Sequence, residues 1–143
     1  MERLIIAALL IVAAIAVAWL IQRRRGAHAA AVPRSELPSA VDLGAVGIAV
    51  GPALVVFTEE TCRTCAAALA VVRGPAGAGL PVAEVSFGND RELHRRHGID
   101  TVPTTAVVDV GGQVIDGWVG SVDLSALAAA LAQVVRGPEP SQG

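Results

Sequence analysis

The residues best suited to chemistry are two cysteines, Cys62 and Cys65, in the stretch FTEETCRTCAAALA from Phe57 to Ala70. They are the chain's only cysteines, and they follow an apolar run and precede an alanine-rich one. A Cys-x-x-Cys pair at the start of a helix has a physical logic. The first thiol meets backbone N–H groups without intrahelical partners, and the positive end of the helix dipole. Both favour thiolate over thiol, and thiolate is the nucleophile. The second cysteine, almost one turn on, is near enough to close a small Cys62–Cys65 disulfide ring. Cys62 is then the exposed attacker, and Cys65, further into the helix, breaks the mixed disulfide formed with a partner. A zinc site needs more ligands, and the candidates are His94 and His97. They stand in an H-x-x-H far downstream, unlike zinc-finger spacing, and read as lying on the solvated face of a short helix. A c-type haem is excluded because Ala66, not His, follows Cys65. In the third reading the cysteines are merely small, semi-buried residues, which their pairing at a strand-to-helix turn argues against.

The elements around the pair follow from periodicity. ALVVFT, Ala53 to Thr58, is a short β-branched apolar run and predicts a strand buried on both faces, as in the centre of an α/β sheet. EETCRTCAAALAVVR predicts a helix with Thr61 as N-cap, stopped by GPAGAGLP, Gly74 to Pro81. That glycine-rich loop follows a helix instead of opening one and has no Gly-Lys-Ser/Thr ending, so it is not a phosphate cradle. VAEVSF, Val82 to Phe87, predicts a second strand. NDRELHRRHG predicts a short charged helix capped by Asn89 or Asp90 and closed by Gly98. TTAVVDV and QVIDGWVG, joined at Gly111 and Gly112, read as a hairpin. SVDLSALAAALAQVVR is a final helix, capped by Ser121 and apolar at helical spacing. The order β-α-β-α-β-β-α implies one mixed sheet between helices, with parallel first strands joined by a helical crossover and an antiparallel hairpin last.

At this point the chain resembles the thioredoxin-like family over about Ala53 to Val135. ALVVFTEETCRTC is similar to the family's strand leading into Cys-x-x-Cys. HGIDTVPTT is similar to its glycine-isoleucine segment followed by isoleucine-proline-threonine, and DVGGQVIDGWVGSVDLSALAAAL to its terminal hairpin and last helix. The resemblance implies an α/β thioredoxin-like fold, and that Pro103 is the family's cis-proline packing against the dithiol. Val102 would then hydrogen-bond an extended partner backbone, holding its disulfide beside Cys62. The departures are specific. Thr61 replaces the family's tryptophan, and Arg63-Thr64 replaces Gly-Pro between the cysteines. Cationic Arg63 should favour thiolate at Cys62 and make the pair more oxidising. Val56 stands where the family has a buried Asp thought to help deprotonate the second cysteine, and Glu84 stands where it has Lys. Glu84 is therefore a candidate for supplying the missing carboxylate; the alternative is a solvated strand residue. Glu59 and Glu60 are expected to point to solvent.

The chain has 143 residues and a formal net charge of −2, which suggests no nucleic-acid partner. It contains no lysine. Leu4 to Ile21 is an unbroken apolar run about 27 Å long as a helix, near the hydrocarbon thickness of a bilayer. The arginines Arg23, Arg24 and Arg25 end it. An uncleaved transmembrane helix is expected over 1–22, in contact with lipid through residues 4–21, followed by a linker over 23–51, a thioredoxin-like domain over 52–136 and a disordered tail over 137–143. The positive-inside rule directs the domain to the cytoplasm; a secretory signal with the domain outside is the alternative. The expected function is a membrane-anchored thiol–disulfide oxidoreductase acting on protein thiols and disulfides through Cys62 and Cys65, with Arg63, Thr64 and Glu84 tuning it and no cofactor or metal required. Its rival is a binding or sensing module of a membrane complex that keeps the fold without strong redox activity.

Overall fold

The computed structural model of the protein describes residues 11–17 and 36–136. The chain divides into two compact units, 1–30 and 31–143. In the first, residues 11–17 are helical, with Ile11, Val12, Ile15 and Val17 exposed. Among the described residues no helix is long and apolar enough to cross a membrane. The rest of the expected 4–21 span lies outside them, as does the expected 137–143 tail.

In the second unit the β-branched run Ala53–Thr58 forms strand β1, and every residue of it is buried. A strand buried on both faces must be central, and β1 is flanked on both sides. Its parallel neighbour is β2 (Val82–Ser86), in register Val56↔Glu84 and Thr58↔Ser86. Its antiparallel neighbour is β3 (Thr104–Val108), in register Val56↔Thr105 and Phe57↔Thr104. Strand β4 (Val114–Val119) pairs antiparallel with β3, giving the order β2-β1-β3-β4. The sheet is mixed, with the parallel pair and the hairpin where the element order puts them.

Helices cover both faces. α1 (Arg63–Arg73) and α3 (Leu124–Arg136) pack on one, where Leu54, Val56, Val107 and Trp118 meet Ala68, Leu69, Val72, Leu127, Ala130 and Leu131. Burying a Val, Leu or Phe side chain fully is worth about 1.5–3 kcal/mol, so this layer holds the domain together. α2 (Arg91–Arg96) lies on the other face, over Ala53, Val55, Phe57, Val85, Ala106 and Val108.

The described part of the expected 23–51 linker also lies on that second face. Val41 is buried, and Leu43, Val46 and Ile48 pack against the same core. Val41 N–H donates to the Gly112 carbonyl at 2.7 Å, Val114 N–H donates to the Ser39 carbonyl at 3.0 Å, and Ala40 bridges Gln113. Gly112 has φ +79°, and a Cβ there would overlap the Val41 carbonyl oxygen, so the hairpin glycine both turns the chain and admits this segment.

Two caps differ from expectation. Cys62, not Thr61, is the N-cap of α1: its φ/ψ is extended and its sulfur accepts the Cys65 N–H. Asp123, not Ser121, caps α3, its carboxylate accepting the Ala126 N–H at 2.8 Å. That bond, with one from the Ser125 side chain, holds the Asp123 carboxyl below its ordinary value of 3.8.

Candidate functional site

Register decides what meets at the dithiol. β1 ends at Thr58 while its partner β3 begins at Thr104, and Phe57 pairs with Thr104. The turn 59–62 and the segment 101–103 therefore leave the sheet at the same end. Pairing of Thr58 with Ser86 and of Thr104 with Val119 brings residues 87–90 and 120–121 to that end as well. Cys62, Cys65, Val102 and Pro103 thus lie at one end of the sheet.

Cys62 and Cys65 form a disulfide with Cα atoms 5.2 Å apart. Cys62 Sγ accepts the backbone N–H of Cys65 at 3.1 Å, satisfying one of the orphan donors of the first helical turn. Cys62 N–H in turn donates to the Glu59 carbonyl at 3.2 Å. Cys62 is half-buried, whereas Cys65 is only 2% exposed and lies on the buried side of α1. The two cysteines are thus unequally exposed. Arg63 and Thr64 are both exposed, as are Glu59 and Glu60. Glu60 lies against Gly88 so closely that a Cβ there would stand 2.9 Å from its Oε1.

The Val102–Pro103 peptide bond is cis. Pro103 is buried, and its carbonyl accepts the Gly120 N–H at 2.7 Å, tying the start of β3 to the end of β4. Val102 is half-buried against the core of the second face.

Glu84 lies one pair deeper, level with Val56, and both of its carboxylate oxygens are engaged. Oε1 accepts the Thr58 hydroxyl at 3.0 Å, and Oε2 accepts the Arg73 guanidinium at 2.9 Å. Its side chain is one-third exposed. Glu84 therefore clamps β2 to β1 and to the last turn of α1. Val56, its neighbour, is fully buried.

The histidines are placed otherwise than expected. His94 does not face solvent: it is 2% exposed, its Nε2 donates to the Val85 carbonyl at 2.8 Å, and its ring stands edge-on to Phe57 and Phe87. Residue 94 falls on the face of α2 that covers the sheet, and there a ring between two phenylalanines is worth more than hydration. His97 is half-buried; its Nδ1 donates to the Leu93 carbonyl at 2.8 Å, and its Nε2 accepts the Asp42 N–H at 3.4 Å. These bonds engage Nε2 of His94 and both ring nitrogens of His97, and no group of three or more metal-binding side chains occurs among the described residues.

Three buried threonines were not among the candidates; one of them, Thr104, is 1% exposed and its hydroxyl donates to the Thr101 carbonyl at 2.7 Å. Thr58 is 2% exposed and bonded to Glu84, while Thr105 is fully buried and its hydroxyl has no partner. The signal available was alternation: two residues before core Val107, Thr105 must share its face.

No protein-family model and no curated protein matches the chain. Solved structures do. Thioredoxin 1 of Thermosipho africanus aligns at 15% identity and TM-score 0.51, over 58% of this chain and 93% of its own. Schistosoma mansoni thioredoxin aligns at 15% and 0.51, over 59% and 80%. A mutant thioredoxin of Halobacterium salinarum aligns at 24% and 0.52, over 62% and 78%. At such identities the likeness speaks for architecture, and it agrees with the element order and the mixed sheet described above: the chain has the thioredoxin fold.

Proposed function

We propose that the protein is a thiol–disulfide oxidoreductase acting on protein thiols and disulfides. The observation that carries this reading is the Cys62–Cys65 disulfide at the N-terminus of α1, with Cys62 half-buried and Cys65 buried. In the exchange, a partner thiolate attacks Cys62 Sγ. The Cys62–Cys65 bond breaks, Cys65 leaves as thiolate, and Cys62 holds the partner in a mixed disulfide. A second partner thiolate then attacks the partner's sulfur and expels Cys62, leaving the partner oxidised and the dithiol reduced. The reverse sequence reduces a partner disulfide, with Cys65 as the resolving nucleophile. Helix-terminal N–H groups favour the thiolate at Cys62, Arg63 adds positive charge beside it, and the Val102 backbone suits an extended partner segment. The test is insulin reduction by the full-length protein and by Cys62→Ser. Wild type should accelerate it and the variant should not; equal rates would favour the binding or sensing module instead. Val56 is the observation on that module's side, because no acid is buried on β1 beneath the dithiol.

We further propose that residues 4–21 anchor the protein in a bilayer with the domain on the cytoplasmic side, a reading supported by the apolar run and by Arg23, Arg24 and Arg25. There, a thiol-rich pool favours a reductant or redox sensor. C-terminal reporter fusions active on only one side of the membrane test this: activity of the external reporter alone would reverse the orientation.

A further inference from the structure

We propose that a cavity beside the Val102–Pro103 bond receives a cationic side chain of the partner protein, so that the preferred partner carries Arg or Lys a few residues from its reacting cysteine. The inference rests on the oxidoreductase reading and names a substrate class for it.

The cavity has a volume of about 290 Å³. That is room for one long side chain, at the small end of the range for ligand sites. Glu36, Gly98, Asp100, Thr101, Thr104 and Val119 line it. Thr101 and Thr104 flank the Val102–Pro103 bond in the chain. Thr104 opens β3, opposite Phe57 of β1 and Val119 of β4, so the cavity lies at the end of the sheet where the dithiol turn leaves it. By alternation Thr104 shares a face with Ala106 and Val108, which belong to the core under α2. The cavity therefore adjoins segment 101–103 from that face, while α1 carries the dithiol on the other. A partner strand extended along Val102 runs between the two. Glu36 reaches the cavity from the strap. The next residue, Leu37, is seated over Gly117 of β4, where a Cβ would stand 3.1 Å from its Cδ2.

What the lining offers is hydrogen-bond acceptors. Glu36 and Asp100 bring two exposed carboxylates. Thr104 is 1% exposed, and its one hydroxyl proton is committed to the Thr101 carbonyl at 2.7 Å. A hydroxyl whose proton is engaged can act towards the cavity only as an acceptor. No basic side chain lines the cavity. Among the described residues the ion pairs are Arg73–Glu84 and Arg95–Glu92, so neither Glu36 nor Asp100 is neutralised by one of them. An ammonium or guanidinium is its complement: it carries the opposite charge and only donors. A metal ion fits less well. A calcium ion takes about six to eight oxygen ligands, and no group of three or more metal-binding side chains occurs among the described residues.

The test uses disulfide-linked peptides that carry either Arg or Gln about two to four residues from the cysteine, reduced by the full-length protein in its dithiol form. Rates are normalised to those with a small dithiol, which removes the peptides' intrinsic difference. Wild type should reduce the Arg peptide about fivefold faster at low ionic strength. The preference should shrink at about 0.5 M salt and vanish in the double variant Glu36→Gln, Asp100→Asn, whose fold is checked by circular dichroism. Equal normalised rates for the two peptides in wild type, or a preference that survives in the double variant, would overturn the proposal. If wild type reduces neither the peptides nor insulin, the oxidoreductase reading fails instead. The cavity is then read by an NMR titration of the full-length protein with the Arg peptide bearing serine for cysteine. Amide shifts at Gly98, Asp100 and Thr101 that the Gln peptide does not produce support the cavity's role, and their absence overturns it.

Discussion

His94 offers a sharp test of how the domain is built, because its helix is charged and its side chain is not at the surface. Replacing it with alanine removes a hydrogen bond to Val85 worth about 0.5–1.5 kcal/mol, and two edge-on aromatic contacts, to Phe57 and Phe87, worth about 0.5–1.5 kcal/mol each. Together these come to about 3 kcal/mol, within the range for truncating a buried side chain. In a domain of this size that lowers Tm by about 12–24 °C and the urea midpoint by about 1–3 M. His94→Gln, which can still donate from its amide but loses the ring, should fall between alanine and wild type. Thermal and urea unfolding followed by far-UV circular dichroism measure all three proteins. Insulin reduction well below the lowered Tm should be unchanged, since His94 faces α2's side of the sheet and the dithiol helix is on the other. An alanine variant as stable as wild type would refute the packing account. One that folds normally but loses redox activity would bring His94 into the active chemistry.

The Glu84 carboxylate, held by Thr58 and Arg73, can be tested by Glu84→Gln: if it serves Cys65, resolution of a mixed disulfide slows several-fold while alkylation of Cys62 is unchanged, and unchanged turnover sinks that role. Asp123→Ala should lower Tm by a few degrees at neutral pH by uncapping α3, whereas Asp123→Asn, also a good cap, should not. Because hydrogen bonds from Ala126 and Ser125 depress the folded-state pKa of Asp123, its contribution is fully present above the ordinary 3.8 and is lost as pH falls through the lower folded value. Wild type should therefore lose stability relative to Asp123→Asn in that acid window, and parallel pH profiles of the two would contradict it.

The strands and helices were legible because each has one strong period. The run ALVVFT has no polar face, so it had to be the central strand, and β1 is buried along its whole length. What one-dimensional patterning could not convey was which residues become neighbours across strands. The row Glu84, Val56, Thr105, Trp118 exists only once β2, β1, β3 and β4 are in register. The exposed, charged companions of His94 hid it, since a short helix needs only one or two residues on its buried face. Residues 36–51 have no period because they pack Val41 and Ile48 onto the core as an irregular strap, held by Gly112. The caps moved for a related reason. Thr61 and Ser121 are good N-cap types, but a cap is chosen by the residue whose side chain reaches the third helical N–H, and Cys62 and Asp123 do so.

The same row shows how this dithiol differs in kind from one served by an acid on the central strand. A carboxylate at 56 would be desolvated on all sides, since valine there is fully buried between Glu84 and Thr105. It would also sit directly beside the Glu84 carboxylate, and like charges opposite one another in a sheet are destabilising. An acid at 56 and an acid at 84 are therefore alternatives. With the charge at the edge strand, Arg73 and solvent can reach it, and the interior beneath the helix keeps only hydroxyls. Of these, Thr58 is bound to the edge carboxylate, and the Thr105 hydroxyl has no partner. The chain thereby keeps β1 apolar from Ala53 to Phe57, with its one hydroxyl, that of Thr58, committed to the Glu84 carboxylate.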